Sequence, residues 1–119
     1  MTTILAVLDV LERDRIIESA ALRAGWNLIW INSVDEARTL LTEDPPGVVL
    51  CEQTMADGKW QDFLACECVR DGSTRLIVTS RLADAALWAE VLNLGGYDVL
   101  AQPFDEHEVI RILGPETKH

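Results

Sequence analysis

Five short apolar runs, each followed by an amphipathic stretch, set the tightest limit on how this chain folds. The runs are residues 3–8 (T-I-L-A-V-L), 27–31 (N-L-I-W-I), 48–51 (V-V-L-C), 75–79 (R-L-I-V-T) and 97–100 (Y-D-V-L). Runs of this length, bounded by turn residues, read as strands buried on both faces, the signature of a parallel sheet. Helices are predicted between them. Residues 11–24 place Ile16, Ile17, Ala20, Ala21 and Ala24 at helical spacing, with Gly25 as the stop. Ser33-Val34-Asp35-Glu36 reads as a capping box opening a helix that turns Ala37, Leu40 and Leu41 inward. Further helices are predicted over 60–69, over 83–94 up to Gly95-Gly96, and from Asp105 to 113. Such alternation predicts an α/β fold: a doubly wound five-stranded parallel sheet with five helices, (βα)5, and right-handed crossovers. One domain is expected over residues 1–113, with 114–119 as a frayed tail.

Composition narrows the function classes. The chain has 119 residues, of which 49% are hydrophobic, enough for one real core. No apolar run approaches the roughly 20 residues of a membrane span, and no secretory signal pattern is visible. Three cysteines in apolar surroundings suggest a reducing, cytoplasmic setting rather than a disulfide framework. The net charge of −10 would repel a phosphate backbone, so direct nucleic-acid binding is not expected.

Open α/β sheets bind ligands beyond the carboxyl ends of their strands. Four polar groups are expected at that edge: Asp9 after the first strand, Glu52 after the third, Thr79-Ser80 after the fourth and Gln102-Pro103 after the fifth. Any one of them is ordinary rim polarity; four together at matching strand ends point to a site.

These residues also carry a resemblance. The alternation, the segment Glu52-Gln53-Thr54-Met55-Ala56-Asp57-Gly58, the segment Ile77-Val78-Thr79-Ser80, and Gly95-Gly96-Tyr97-Asp98 leading to Gln102-Pro103-Phe104 resemble the receiver domain of bacterial two-component response regulators. The likeness spans Ile4 to Leu113. It implies a flavodoxin-like fold. It also implies phosphoryl transfer from a histidine kinase onto an aspartate after the third strand, with Mg²⁺ held by an acid pair after the first. Carried over, the phosphoacceptor position is Glu52, the acid pair falls on Leu8 and Asp9, the switch hydroxyl is Ser80, the lysine position is Gln102 and the switch aromatic position is Val99. Mg²⁺, if it binds, would use Asp9, Glu52 and the Thr54 carbonyl, which weakens the site relative to the family.

The departures shape the functional expectation. Glu52 is one methylene longer than aspartate, and in-line attack tolerates little misplacement. Leu8 removes an acid, Gln102 removes a cation, and Val99 removes the rotating aromatic. The usual pocket sums to −3 + 1 = −2; Asp9 and Glu52 without a lysine also give −2, so the two losses compensate. The expected function is a pseudo-receiver, not an enzyme, that signals through protein contacts with phosphorylation lost. Its partners would be a histidine kinase or an output protein. A homodimer through the face formed by the fourth helix, fifth strand and fifth helix is also implied, and Trp88 on that face is the candidate contact residue. One alternative is a weakly active Mg²⁺-dependent phosphoacceptor. Another is a small flavodoxin-like cofactor binder, against which Asp9-Val10-Leu11-Glu12 speaks, since an acidic loop repels phosphate.

Three other candidates read as structural. Asp57-Gly58 is a common turn pair, and His107 is expected to be exposed on the last helix. Cys66-Glu67-Cys68 on a helix would point its thiols to different faces, which is no metal pair.

Overall fold

A computed structural model describes residues 2–9 and 14–115. Its five-stranded sheet contains β1 (Thr3–Val7), β2 (Asn27–Ile31), β3 (Val48–Glu52), β6 (Arg75–Ser80) and β7 (Asp98–Ala101). The order is β2-β1-β3-β6-β7, and every pairing is parallel. This is the doubly wound arrangement that the alternation predicts.

The period-two alternation of each strand divides the core between the two faces of the sheet. Ile4, Ala6, Val48, Leu50 and Ile77 meet Ile17 and Ala20 of α1 (Arg15–Ala24) and Val109 and Ile112 of α5 (Glu106–Leu113). Leu5, Val7, Val49, Cys51 and Val78 face the other way. They meet α2 (Val34–Glu43), α4 (Ala85–Leu94) and the segment between β3 and β6. Caps set the helix starts: Asp14 accepts from the Ile16 and Ile17 amides, and Asp84 from Leu87. The expected start of the first helix at 11–13 lies outside the described residues.

Two expectations need correction, and one segment adds an element. The third helix is not continuous. A 3₁₀ helix runs from Trp60 to Ala65, and after an extended residue, Cys66 (φ −71°, ψ 130°), a single turn α3 covers Glu67–Arg70. Trp60 and Phe63 are both buried, and a three-residue period puts them on one face. Residues 54–59 add a small antiparallel hairpin, β4 (Thr54–Met55) with β5 (Gly58–Lys59), and Asp57 lies in its turn. Gly114 is not frayed. It is buried, and its carbonyl accepts from Arg75 Nη2 at 2.6 Å, as does that of Leu113 at 2.9 Å. Arg75 thereby closes the C-terminal end of α5, where a cation is favourable. No helix among the described residues is long and apolar enough to cross a membrane.

Candidate functional site

The parallel register aligns the carboxyl ends of the strands. Glu52 is paired with Thr79, and Ser80 with Ala101. Backbone bonds extend this alignment past the strands, from Gln53 N–H to the Thr79 carbonyl and from Gln102 N–H to the Ser80 carbonyl, both at 3.0 Å. Asp9, Glu52, Thr54, Ser80 and Gln102, each singled out from the sequence, therefore line one open depression of about 420 Å³.

Leu8 is not in that depression. It is 2% exposed and belongs to the cluster formed by Ile4, Ala6 and Ile17. One residue later, past the end of β1, Asp9 is exposed. The acid pair of the resemblance is here one core residue and one surface acid. Val99 is half-buried and packs against the core on the α4 side, opposite Val78.

Glu52 is half-buried, and burial raises its pKa above the ordinary glutamate value. A hydrogen bond from the Gln102 side chain works against this, Asp9 reinforces it, and Arg81 opposes it. Gln102 also points at strand β6: its Nε2 donates to Thr79 Oγ1 at 3.3 Å, and Thr79 Oγ1 donates to the Leu100 carbonyl at 2.7 Å. The Ser80 hydroxyl accepts from the Leu82 N–H at 3.0 Å and so shapes the turn into α4. The Gln102–Pro103 peptide is cis.

Arg81 is the residue that the sequence reading passed over. It lines the same depression and acts on Glu52 through its charge. Its position directly after Ser80 was the available signal. With Arg81 counted, the described residues of the depression carry −2 + 1 = −1 rather than −2. The donor set is a poor fit to Mg²⁺, which takes oxygen ligands in near-ideal octahedral geometry. Leu8 offers no oxygen, a guanidinium shares the space, and among the described residues no group of three His, Cys, Asp or Glu could hold a metal ion.

Asp57 lies outside this depression and has a structural task. It accepts from Ser33 Oγ at 2.9 Å, Val34 N–H at 2.9 Å and Asp35 N–H at 3.1 Å. Ser33 Oγ in turn accepts from Glu36 N–H at 3.2 Å, so the start of α2 is capped partly from its own sequence and partly by Asp57. His107 is exposed. Cys51 and Cys68 are buried, while Cys66 is half-buried and sits in extended backbone at the cap of α3, a correction to its placement on a helix. Burial pushes the Cys51 thiol far up, which keeps it protonated and inert. Trp88 is 51% exposed on α4.

No protein-family model matches the sequence, and no curated protein matches it either. Solved structures do. The receiver domain of the Francisella response regulator 1452 superposes with a TM-score of 0.79 at 21% identity, covering 95% of this chain and 94% of that one. Chemotaxis response regulator CheY4 of Vibrio cholerae gives 0.80 at 16% identity, with 95% and 96% covered. The signal receiver domain of the putative response regulator NarL from Mycobacterium tuberculosis gives 0.79 at 18%, with 94% and 92% covered. At such identities the likeness is one of architecture, and by architecture the chain is a flavodoxin-like receiver fold along nearly its whole length.

Proposed function

We propose that this chain is an atypical receiver module that signals by protein contact, without phosphoryl transfer. The observation that carries this reading is the make-up of the strand-end depression. A glutamate stands at the end of β3, Leu8 is locked in the core, and Gln102 leans on Thr79. A phosphoryl group carries nearly two negative charges and needs cations around it. Among the described residues Arg81 is the one cation lining this depression, and two carboxylates share the space with it.

On this reading Glu52 is a fixed partial charge at the switch position. It biases the turn at Ser80 and, through it, α4. The partner is a histidine kinase or an output protein, met in the cytoplasm through the face of α4, β7 and α5 that Trp88 marks. The module works by conformation rather than turnover.

A second reading keeps a weakly active phosphoacceptor that binds Mg²⁺ through Asp9, Glu52 and the Thr54 carbonyl, because all three residues line one depression. Intact mass after incubation with acetyl phosphate, with and without Mg²⁺, separates the two. The expected result is no phosphoryl adduct while a control receiver is modified. A Mg²⁺-dependent adduct mapped to Glu52 or Asp57 would overturn the proposal and install the second reading.

A further inference from the structure

Helix α4 is apolar nearly all the way round. In A-A-L-W-A-E-V-L-N-L only Glu90 and Asn93 are polar, yet only Leu87 and Val91 are buried. A helix of that composition ordinarily has cover on most sides. Here Trp88 and Leu94 are each 51% exposed and Leu92 is 37% exposed. Beside it, between α4, β7 and α5, lies a groove of about 520 Å³ with Trp88, Leu92, Val99 and Ile112 among its lining residues. Its volume falls in the range of built binding pockets, roughly 300–1,000 Å³.

The charges of this groove are one-sided. Among the described residues, Asp98, Asp105 and Glu108 stand on its walls against the single cation Arg111, giving −3 + 1 = −2. Arg111 donates to Glu108 Oε2 at 2.6 Å, so this pair neutralises itself and the net −2 of the groove rests on Asp98 and Asp105, with Glu108 free to share its second oxygen. The whole chain, these residues included, carries a net charge of −10.

We infer that the α4 groove takes a basic, amphipathic helical segment of a partner protein, its apolar side on Trp88 and Leu92 and its Lys or Arg side chains on Asp98, Asp105 and Glu108. The inference rests on the partner-contact reading above and gives that partner a chemistry. A second copy of this chain is the poorer occupant. A two-fold contact sets the same patch against itself, so both acidic walls and both net charges would meet. An amphipathic helix laid in a groove is a common recognition mode, and complementary charge steers it into place.

The test uses the whole chain and an amphipathic peptide of about 18 residues with a Leu/Ala face and a Lys/Arg face, followed by NMR. The basic peptide is expected to shift the Trp88 indole and the amides of 98–101. Binding should weaken about tenfold or more in Trp88→Ala, the size of an aromatic hot spot, and in Glu108→Lys, and should weaken with added salt. Unchanged circular dichroism controls for folding of both variants; Trp88 is half-exposed and its loss leaves Leu87 and Val91 in place. Absence of any shift at Trp88, or equal binding by the same peptide with Glu in place of Lys and Arg, would overturn the inference. So would a concentration-dependent dimer that Trp88→Ala abolishes, which would install a second copy as the occupant. A phosphoryl adduct on Glu52 would remove the phosphorylation-independent reading while leaving the peptide result standing, so the two failures are separable.

Discussion

Gln102 Nε2 donates to Thr79 Oγ1 at 3.3 Å, and this bond draws the residue that replaces a lysine toward the sheet. Thr79 is fully buried, and its hydroxyl passes the chain on to the Leu100 carbonyl at 2.7 Å. The hydroxyl therefore fastens β6 to β7 at the edge where the site lies. Thr79→Val keeps the shape and removes both bonds. The expected cost is about 1–3 kcal/mol, the range for losing a buried hydrogen bond and stranding its partner. Urea denaturation measures it, and a loss within error of zero would show that the chain of bonds contributes nothing net.

Glu52→Gln should stabilise the fold at neutral pH. The folded-state pKa of Glu52 is raised, first by burial. A raised acid pKa means that the folded state holds its proton more tightly than the unfolded chain. Stability then falls as pH rises from the unfolded value through the folded one. The variant lacks this penalty, so its advantage should be largest above the folded pKa and fade in acid. Amide shifts of Ser80 and residues 81–87 should move with the substitution; if they do not, Glu52 does not bias the turn. Arg81→Gln should push the Glu52 pKa further up, since Arg81 opposes the rise.

Most of the fold was legible because strand burial and helix capping are local patterns. Ile4 and Ala6 against Leu5 and Val7 is a period-two signal, and Asp105 caps the helix that begins just after it, whereas the fourth helix, expected from residue 83, starts at Ala85 behind its cap Asp84. The break at Cys66 was not legible, because Trp60 and Phe63 suit a helix of either period and the extended backbone at Cys66 is a tertiary outcome. The same division holds for the site. Asp9, Glu52, Ser80 and Gln102 follow from strand ends and meet as expected. Arg81 was missed because a charge in a turn declares its direction only in three dimensions. Asp57 was read as a turn residue, since its capping partners Ser33, Val34 and Asp35 lie far away in sequence.

Asp57 also gives the chain an acid-sensitive joint. Its pKa is lowered, chiefly by the Val34 and Asp35 amides it accepts from. A depressed carboxyl pKa contributes stability that is present above the unfolded value, about 3.9 for aspartate, and is lost as pH falls through the folded one. Asp57→Asn should therefore lower the midpoint of thermal unfolding at pH 7 and flatten the acid limb of the stability profile. Faster amide exchange should be confined first to the start of α2. An unaltered acid limb would show that the cap is too exposed to matter.

The last prediction concerns the acid that the resemblance places at residue 8. Restoring it as Leu8→Asp would seem to rebuild the pocket, and the structure argues the reverse. Leu8 is 2% exposed in a cluster with Ile4, Ala6 and Ile17, an apolar setting for a carboxylate. The substitution removes a buried aliphatic side chain and either buries a charge or drags the end of β1 outward. A loss above about 2 kcal/mol follows from the truncation alone, the low end for losing a core leucine. Denaturation of Leu8→Asp beside Leu8→Ala separates the terms: the aspartate variant should be the less stable at pH 7, and the gap should narrow in acid as the carboxyl protonates. If Leu8→Asp proved as stable as the parent, residue 8 would have room to turn into the depression. The loss of the acid pair would then be a change of side chain alone rather than of the core that now occupies its place.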